Sequence, residues 1–367
     1  MNGELDIHIN LTRHAGVPVM HQSGHLAVLD GWRGVSILFV LAAHLLPLGP
    51  RALQLNYSIG IVGMVLFFNL SGFLITSFLL QDQRIGAFLI KRFCRVLPLA
   101  WLYLALALSL SAAPLSTWLS QFLFYANLPP QDLPPMTEHL WSLCMEVQFY
   151  IGVALLVLML RARGLLLLPL LGVMFTLLRA SQGIMASSVS YYRIDEILAG
   201  CTLALAFHGR FSARFRELLA QVPQWWLFLL LALSSMPQGG WLNYLRPYLA
   251  AVLIGATIVR PATGLVRLLG SRFLLFCAAI SYALYVIHPI LSFSWLASGT
   301  VVEKYEKRPL FLAVLFVLAY VSTRYYESWF IALGRNWARR VGRQPLGPVA
   351  TDASASTLQT TDPLSPK

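Results

Sequence analysis

Leu29-Asp-Gly-Trp-Arg-Gly-Val-Ser-Ile-Leu-Phe-Val-Leu-Ala-Ala-His44 decides how this chain is to be read. Ten residues without a charge separate Arg33 from His44, so the stretch is apolar enough to enter a bilayer while carrying an ionisable group near each end. Eleven helical steps of about 100° bring the two side chains back to within roughly 20° of one face, and a rise of about 1.5 Å per residue puts them about 16 Å apart. A guanidinium and an imidazole then share one stripe, and ionisable groups inside a lipid-spanning helix face protein or a wet cavity because lipid does not solvate them.

Outward from this segment the chain stays apolar. Of 367 residues, 57% are hydrophobic and 11% charged, and long apolar runs recur along most of the length. This predicts an all-α fold, a polytopic transmembrane helical bundle with about ten spans. The runs fall at roughly 27–48, 57–79, 96–113, 139–160, 164–180, 190–208, 224–240, 246–260, 273–297 and 310–333. Residues 1–26 are expected to form a cytoplasmic tail, 27–334 the membrane domain, and 335–367 a basic and then disordered cytoplasmic tail. The first apolar run is read as retained rather than as a cleaved signal peptide.

The formal charge of +12 follows topology rather than nucleic acid. Placing the N-terminus in the cytoplasm collects Arg13; Arg84, Lys91, Arg92 and Arg95; Arg161 and Arg163; Arg210, Arg214 and Arg216; Arg260, Arg267 and Arg272; and Arg335, Arg339, Arg340 and Arg343 on the inner side. The connection from about 114 to 138 has no Lys or Arg, as an outer loop should. No basic-aromatic nucleic-acid module is visible. The cysteines, Cys94, Cys144, Cys201 and Cys277, stand singly, and the histidines of the first 25 residues match no zinc spacing, so no metal site is expected. Phosphate-binding glycine motifs and fixed-period repeats are likewise not found.

Several polar groups in apolar runs need partners. Glu146, in Leu140-Trp-Ser-Leu-Cys-Met-Glu-Val-Gln-Phe-Tyr150, lies at a depth similar to that of His44, so the carboxylate would orient the ring and raise its basicity, or the pair would simply fix helix packing. Ser281, Tyr285 and His288 stand at i, i+4 and i+7 and share a face, with Pro289 able to open a kink and His288 placed to bind substrate hydroxyls. Ser71 and Ser281 lack the elbow of a nucleophilic serine. Asp195 pairs naturally with Arg193 or with a basic residue of another span. Arg92 and Arg95, one turn apart, would grip phosphate or anchor the inner interface.

Taken in order, Leu29–Gly34 leading to His44, Phe67-Phe-Asn-Leu-Ser-Gly-Phe-Leu-Ile-Thr76, Lys91-Arg-Phe-Cys-Arg-Val-Leu-Pro98, Leu140–Tyr150, Arg193-Ile-Asp195 and Ser281–His288 resemble the motifs of the membrane-bound acyltransferase family 3. The resemblance implies a bacterial inner-membrane enzyme that moves an acyl group, commonly acetyl, from cytoplasmic acyl-CoA to a hydroxyl of an extracytoplasmic or lipid-linked carbohydrate, with no resident cofactor. Carried over by motif, Arg33 and His44 are the family's hallmark pair, Arg92 and Arg95 its second basic motif and Glu146 the carboxylate of its Trp-Ser-Leu segment. The expected roles are therefore catalytic for His44, Glu146 and Arg33, donor-binding for Arg33, Arg92 and Arg95, and substrate-binding for Ser281, Tyr285, His288 and Asp195. Val147 stands where many members carry a second acidic residue, which counts against a mechanism needing adjacent carboxylates. The short segment after the last run argues against an appended soluble transferase domain. The competing class is a transporter or flippase of a lipid-linked sugar using the same intramembrane polar groups, although no paired broken helices stand out.

Overall fold

The structure, a computed structural model, describes residues 20–211, 214–260 and 263–341. Among them the regular elements are helical. They are α1 (Met20–Leu45), α2 (Leu55–Gln81), α3 (Ile85–Leu110), α4 (Leu115–Phe122), α5 (Trp141–Leu160), α6 (Leu168–Ser181), α7 (Asp195–Phe207) and α8 (Arg214–Gln221). There follow α9 (Gln224–Ser234), α10 (Leu242–Val259), α11 (Gly264–Leu269), α12 (Arg272–Ala279), α13 (Ser281–Ser292), α14 (Val301–Glu306), α15 (Arg308–Val321) and α16 (Ser328–Val341). The tail histidines His8 and His14, and the chain from 342 onward, lie outside the described residues.

The all-α membrane bundle is as expected; the count of ten spans is not confirmed. Six helices are long and apolar enough to cross, or up to eight if each of two bent pairs makes one span. The difference from ten has two local sources. α7 has 13 residues, about 20 Å at 1.5 Å per residue against roughly 30 Å of hydrocarbon. α5 and α6, read as two runs, make one continuous apolar helical stretch, Glu138–Ser181.

Three local features also differ from the sequence reading. α3 starts at Ile85, so Arg92 and Arg95 lie well inside a helix rather than at its start; long basic side chains sit in a helix without breaking it, which a hydropathy window misreads as a boundary. The expected kink at Pro289 is instead a 69° bend between α12 and α13, around Ile280, and α13 runs through Pro289 to Ser292. Together with the 84° bend between α8 and α9, this gives the chain the broken helix pairs its sequence did not reveal.

α1 is the shared wall of two apolar clusters. Ile37, Leu41 and Leu45 join α2, α3, α5, α13 and α15, while Val28, Leu29 and Trp32 join α2, α7, α10 and α11. Trp32 Nε1 donates to Thr257 Oγ1 at 2.9 Å, tying α1 to α10. α2 and α7 approach through reciprocal glycines: a Cβ on Gly72 would stand 2.0 Å from the Ile197 carbonyl oxygen, and one on Gly200 2.0 Å from that of Asn69. Such backbone contact is how membrane helices gain close packing when lipid offers no hydrophobic drive between them.

Candidate active site

His44 ends α1, where carbonyls lack helical partners. Asn56 Nδ2 donates to the Ala43 and Leu46 carbonyls, each at 2.7 Å, and so fixes that end. The ring partner of His44 is His288, not Glu146: His44 Nδ1 and His288 Nε2 are 2.9 Å apart and the ring planes differ by 19°. The His-Pro dipeptide explains how His288 is held. Pro289 has no N–H for the Tyr285 carbonyl four residues back, and His288 Nδ1 takes that oxygen at 2.8 Å, with the Leu284 oxygen at 3.2 Å.

The tautomers follow from this chain of contacts. Carbonyls only accept, so His288 Nδ1 carries the proton and its Nε2 is bare; His44 Nδ1 then donates to it, leaving the His44 Nε2 lone pair free. His44 is exposed, whereas His288 is buried. The pair is thus an accessible base backed by an enclosed, neutral acceptor.

A third imidazole completes the cluster. His139, buried, has its ring centroid 5.6 Å from that of His288, 5.4 Å from Tyr285 and 5.2 Å from Tyr103. The loop before it contains α4, which the sequence reading passed over, and is fastened where the Thr117 and Ser120 hydroxyls donate to the Asp132 carboxylate at 3.1 and 3.0 Å. The Tyr285 hydroxyl donates to the His139 carbonyl, and Ser142 Oγ meets the same hydroxyl at 2.5 Å.

Beside this cluster, from Ser142 and Tyr285, a narrow cavity of about 30 Å³ runs along α1 to Arg33, lined by Arg33, Ser36, Ile37 and Val40 on one side and by Ser142, Ser281, Tyr282 and Tyr285 on the other; none of the three imidazoles lines it. One water takes roughly 10–15 Å³ by this measure, so the passage is tight. His44 stands one turn beyond Val40 on the same stripe. A wider cavity of about 670 Å³ lies on the opposite face of α1, against Trp225, Phe228 and Leu268, and holds none of the expected site residues.

Glu146 belongs to the other end. It accepts from Ser71 Oγ at 2.5 Å, is reached by Tyr150, and lies within electrostatic range of Arg33 and Arg92. Ser142, one turn nearer the start of α5, occupies the level of the histidines, so similar depth in the sequence concealed a difference of a full turn. Arg33 also feels Arg92 and Arg95, which leaves three guanidiniums together against Glu146 and against Asp30, whose carboxylate is 2.9 Å from Arg33. Like charges gathered so closely suit a polyanionic ligand.

Asp195 is elsewhere. Fully buried, it meets Arg179 at 2.8 Å and accepts from Thr176 at 3.0 Å, beside a second network in which Glu196 pairs with Arg193 at 3.1 Å and Arg246 at 3.2 Å. The substrate-binding role expected for Asp195 gives way to its other reading, an ion pair with another span's cation. The structure thus brings together His44, His288 and Tyr285 at one end and Arg33, Arg92, Arg95 and Glu146 at the other, with Ser281 on the wall of the cavity between. It adds His139 and Ser71, which the sequence reading did not assign; the histidine immediately preceding Leu-Trp-Ser was the available signal for the first.

Among described residues no group of His, Cys, Asp or Glu is arranged to hold a metal ion. The acyltransferase domain family matches residues 26–330. The chain belongs to that family. It is 25% identical over 354 residues to the peptidoglycan O-acetyltransferase OatA of Listeria monocytogenes serovar 1/2a, a match covering 82% of this chain and 55% of that protein. It is 28% identical over 370 aligned positions to the putative peptidoglycan O-acetyltransferase YrhL of Bacillus subtilis, covering 85% of this chain and 56% of that protein. The chain therefore spans about half the length of these curated relatives. No solved structure matches it.

Proposed function

We propose that this acyltransferase-family chain moves an acyl group, acetyl first among them, from an acyl-CoA at the cytoplasmic side of the inner membrane to a hydroxyl of a carbohydrate at the opposite face. The names of its relatives support acetyl as the group and a glycan as the acceptor. The observation that carries the reading is the α1 stripe that sets Arg33, on the wall of a narrow cavity, at one end and a base with a free lone pair, one turn beyond the cavity's Val40, at the other. Arg33, Arg92 and Arg95 hold the donor's phosphates, and the thioester arm follows the stripe of Ser36, Ile37 and Val40, where the passage, with room for about two or three waters, must widen to take it.

At the far end His44 Nε2 takes the proton of the acceptor hydroxyl as its oxygen attacks the thioester carbonyl. The tetrahedral intermediate collapses, the carbon–sulfur bond breaks, and the imidazolium returns the proton to the departing thiolate. His288 accepts from His44 Nδ1 throughout, holding the ring and sharing its transient charge. Glu146, counter-ion to the arginines, keeps their side chains in place rather than touching the base.

The bent pairs α8/α9 and α12/α13 are the feature a transporter would use. The two readings separate on labelled acetyl-CoA and glycan oligomers given to the purified chain in nanodiscs. The enzyme transfers label and its His44→Ala variant does not; equal labelling with the variant, or none with the wild type, rejects the reading.

A further inference from the structure

The histidine cluster contains one imidazole that the base mechanism leaves idle. His139 is about nine-tenths buried, yet neither ring nitrogen has a hydrogen-bond partner. The Val286 carbonyl lies near the ring but outside hydrogen-bonding geometry. A buried polar group without a partner is destabilising, and native structures keep few of them without a use.

Its surroundings show what is missing. Around the imidazoles and the neighbouring cavity wall the hydroxyl protons of Tyr285, Ser142, Ser281 and Tyr103 are already placed. Tyr285 donates to the His139 carbonyl, so Ser142 must donate to Tyr285; Ser281 donates to the Ala278 carbonyl at 2.8 Å, and Tyr103 to the Met136 carbonyl at 2.6 Å. The His44 Nδ1–H is held by His288. The Ser36 hydroxyl, also without a partner, lies about two turns down α1 from His44, so beside the imidazoles the N–H of neutral His139 is the donor left over, and with neither nitrogen committed it can sit on whichever one faces the reacting carbonyl. Acyl transfer needs such a donor. As the acceptor oxygen bonds to the thioester carbon, the carbonyl π pair moves onto its oxygen, and a donor already aimed at that oxygen stabilises the charge without reorganising.

We propose that His139 is a catalytic residue that hydrogen-bonds the acyl carbonyl oxygen, strengthening as charge grows there and relaxing when the C=O re-forms and the CoA thiolate leaves with the proton from His44. This inference rests on the acyltransferase reading given above. The three imidazoles then have separate roles, in which His44 moves the proton, His288 orients His44, and His139 holds the oxygen.

The test uses the full chain in nanodiscs, acetyl-CoA as donor and a chitin pentasaccharide as acceptor probe. His139→Leu removes the N–H at similar volume, and His139→Gln keeps an amide donor. The leucine variant is expected to lose about 10²–10³ in kcat, with KM for acetyl-CoA within about threefold of wild type because ground-state binding is untouched. The glutamine variant should recover at least tenfold of that loss. Since His139 makes no side-chain hydrogen bond, its melting temperature should stay within about 2 °C in either variant.

A structural histidine would instead lose activity and melting temperature together, and the two variants would behave alike. A leucine variant with wild-type kcat, or a loss carried by KM, also overturns the proposal. If the leucine variant does not fold, the glutamine variant decides: it folds and retains transfer, or the role is structural. A wild-type chain that transfers no label rejects the acyltransferase reading and this inference with it, whereas active wild type beside unaffected variants rejects the inference alone.

Discussion

The ion network of α6, α7 and α10 and the imidazole cluster of α1, α5 and α13 are both polar groups set among apolar helices, and both drew attention as functional candidates. In the first, Arg179, Arg193, Asp195, Glu196 and Arg246 are each at most 4% exposed at the side chain and answer one another's charges. In the second, one ring is exposed, one is satisfied through backbone carbonyls, and one has no partner. Charge that meets an opposite charge holds helices together even where single atoms (Arg179 Nε, Arg193 Nη2, Asp195 Oδ1) keep no partner, whereas a side chain with no polar partner at all, as His139, is available for a substrate. The distinction lies in the partners, since residue type and depth are similar in both.

The sharpest way to break that comparison is to remove one group from each region and read stability and transfer separately. His44→Ala should cost transfer about 10²–10⁴-fold while the folded fraction in detergent, followed by fluorescence size-exclusion, stays at the wild-type level. Asp195→Asn should do the reverse. It leaves Arg179 buried without its counter-charge, at a cost of about 3–5 kcal/mol, visible as a large fall in melting temperature. The double variant Arg179→Met, Asp195→Leu should regain most of that loss, because an apolar pair of similar volume substitutes well for a buried ion pair. An Asp195→Asn protein that melts like wild type but transfers poorly would move the network into the active site. Ser71→Ala should have a smaller effect, about 1 kcal/mol on stability, and should weaken acetyl-CoA binding more than it slows turnover, because Glu146 belongs with the arginines.

Much of this division was open to a reader of the residues alone. The helical period places Arg33 and His44 on one stripe, and the order of motifs identifies the family. What pattern does not carry is which helix stands next to which. Glu146 and His44 have similar depths in their own runs, but a difference of one turn decides that Ser142 meets Tyr285 beside the histidines while Glu146 meets Ser71 and feels Arg33. His139 lies at the start of a span, where hydropathy weakens and a histidine passes for a loop residue. The count of ten spans is not confirmed because α7 is apolar enough for a bilayer without being long enough for one, and because α5 and α6 form one continuous stretch.

The mildest contrast lies outside the bundle core, in the turn joining α2 to α3. Arg84 Nη2 is 2.7 Å from Asp82 Oδ2, and its Nε and backbone N–H both donate to Oδ1. Hydrogen bonds from Arg84 hold the Asp82 carboxyl below its ordinary range. A carboxyl whose folded value is depressed adds stability that is present above its unfolded value and disappears as pH falls through the folded one. Arg84 is mostly exposed, so screening keeps the contribution below about 1 kcal/mol. The melting temperature of Asp82→Asn should therefore sit slightly below that of wild type at pH 6, and the gap should close as pH falls through the depressed folded value and the carboxyl becomes neutral in both states. A gap that persists at low pH would mean the turn is held by backbone geometry alone, and a gap as large as that of Asp195→Asn would erase the difference between an answered charge in water and one enclosed by helices.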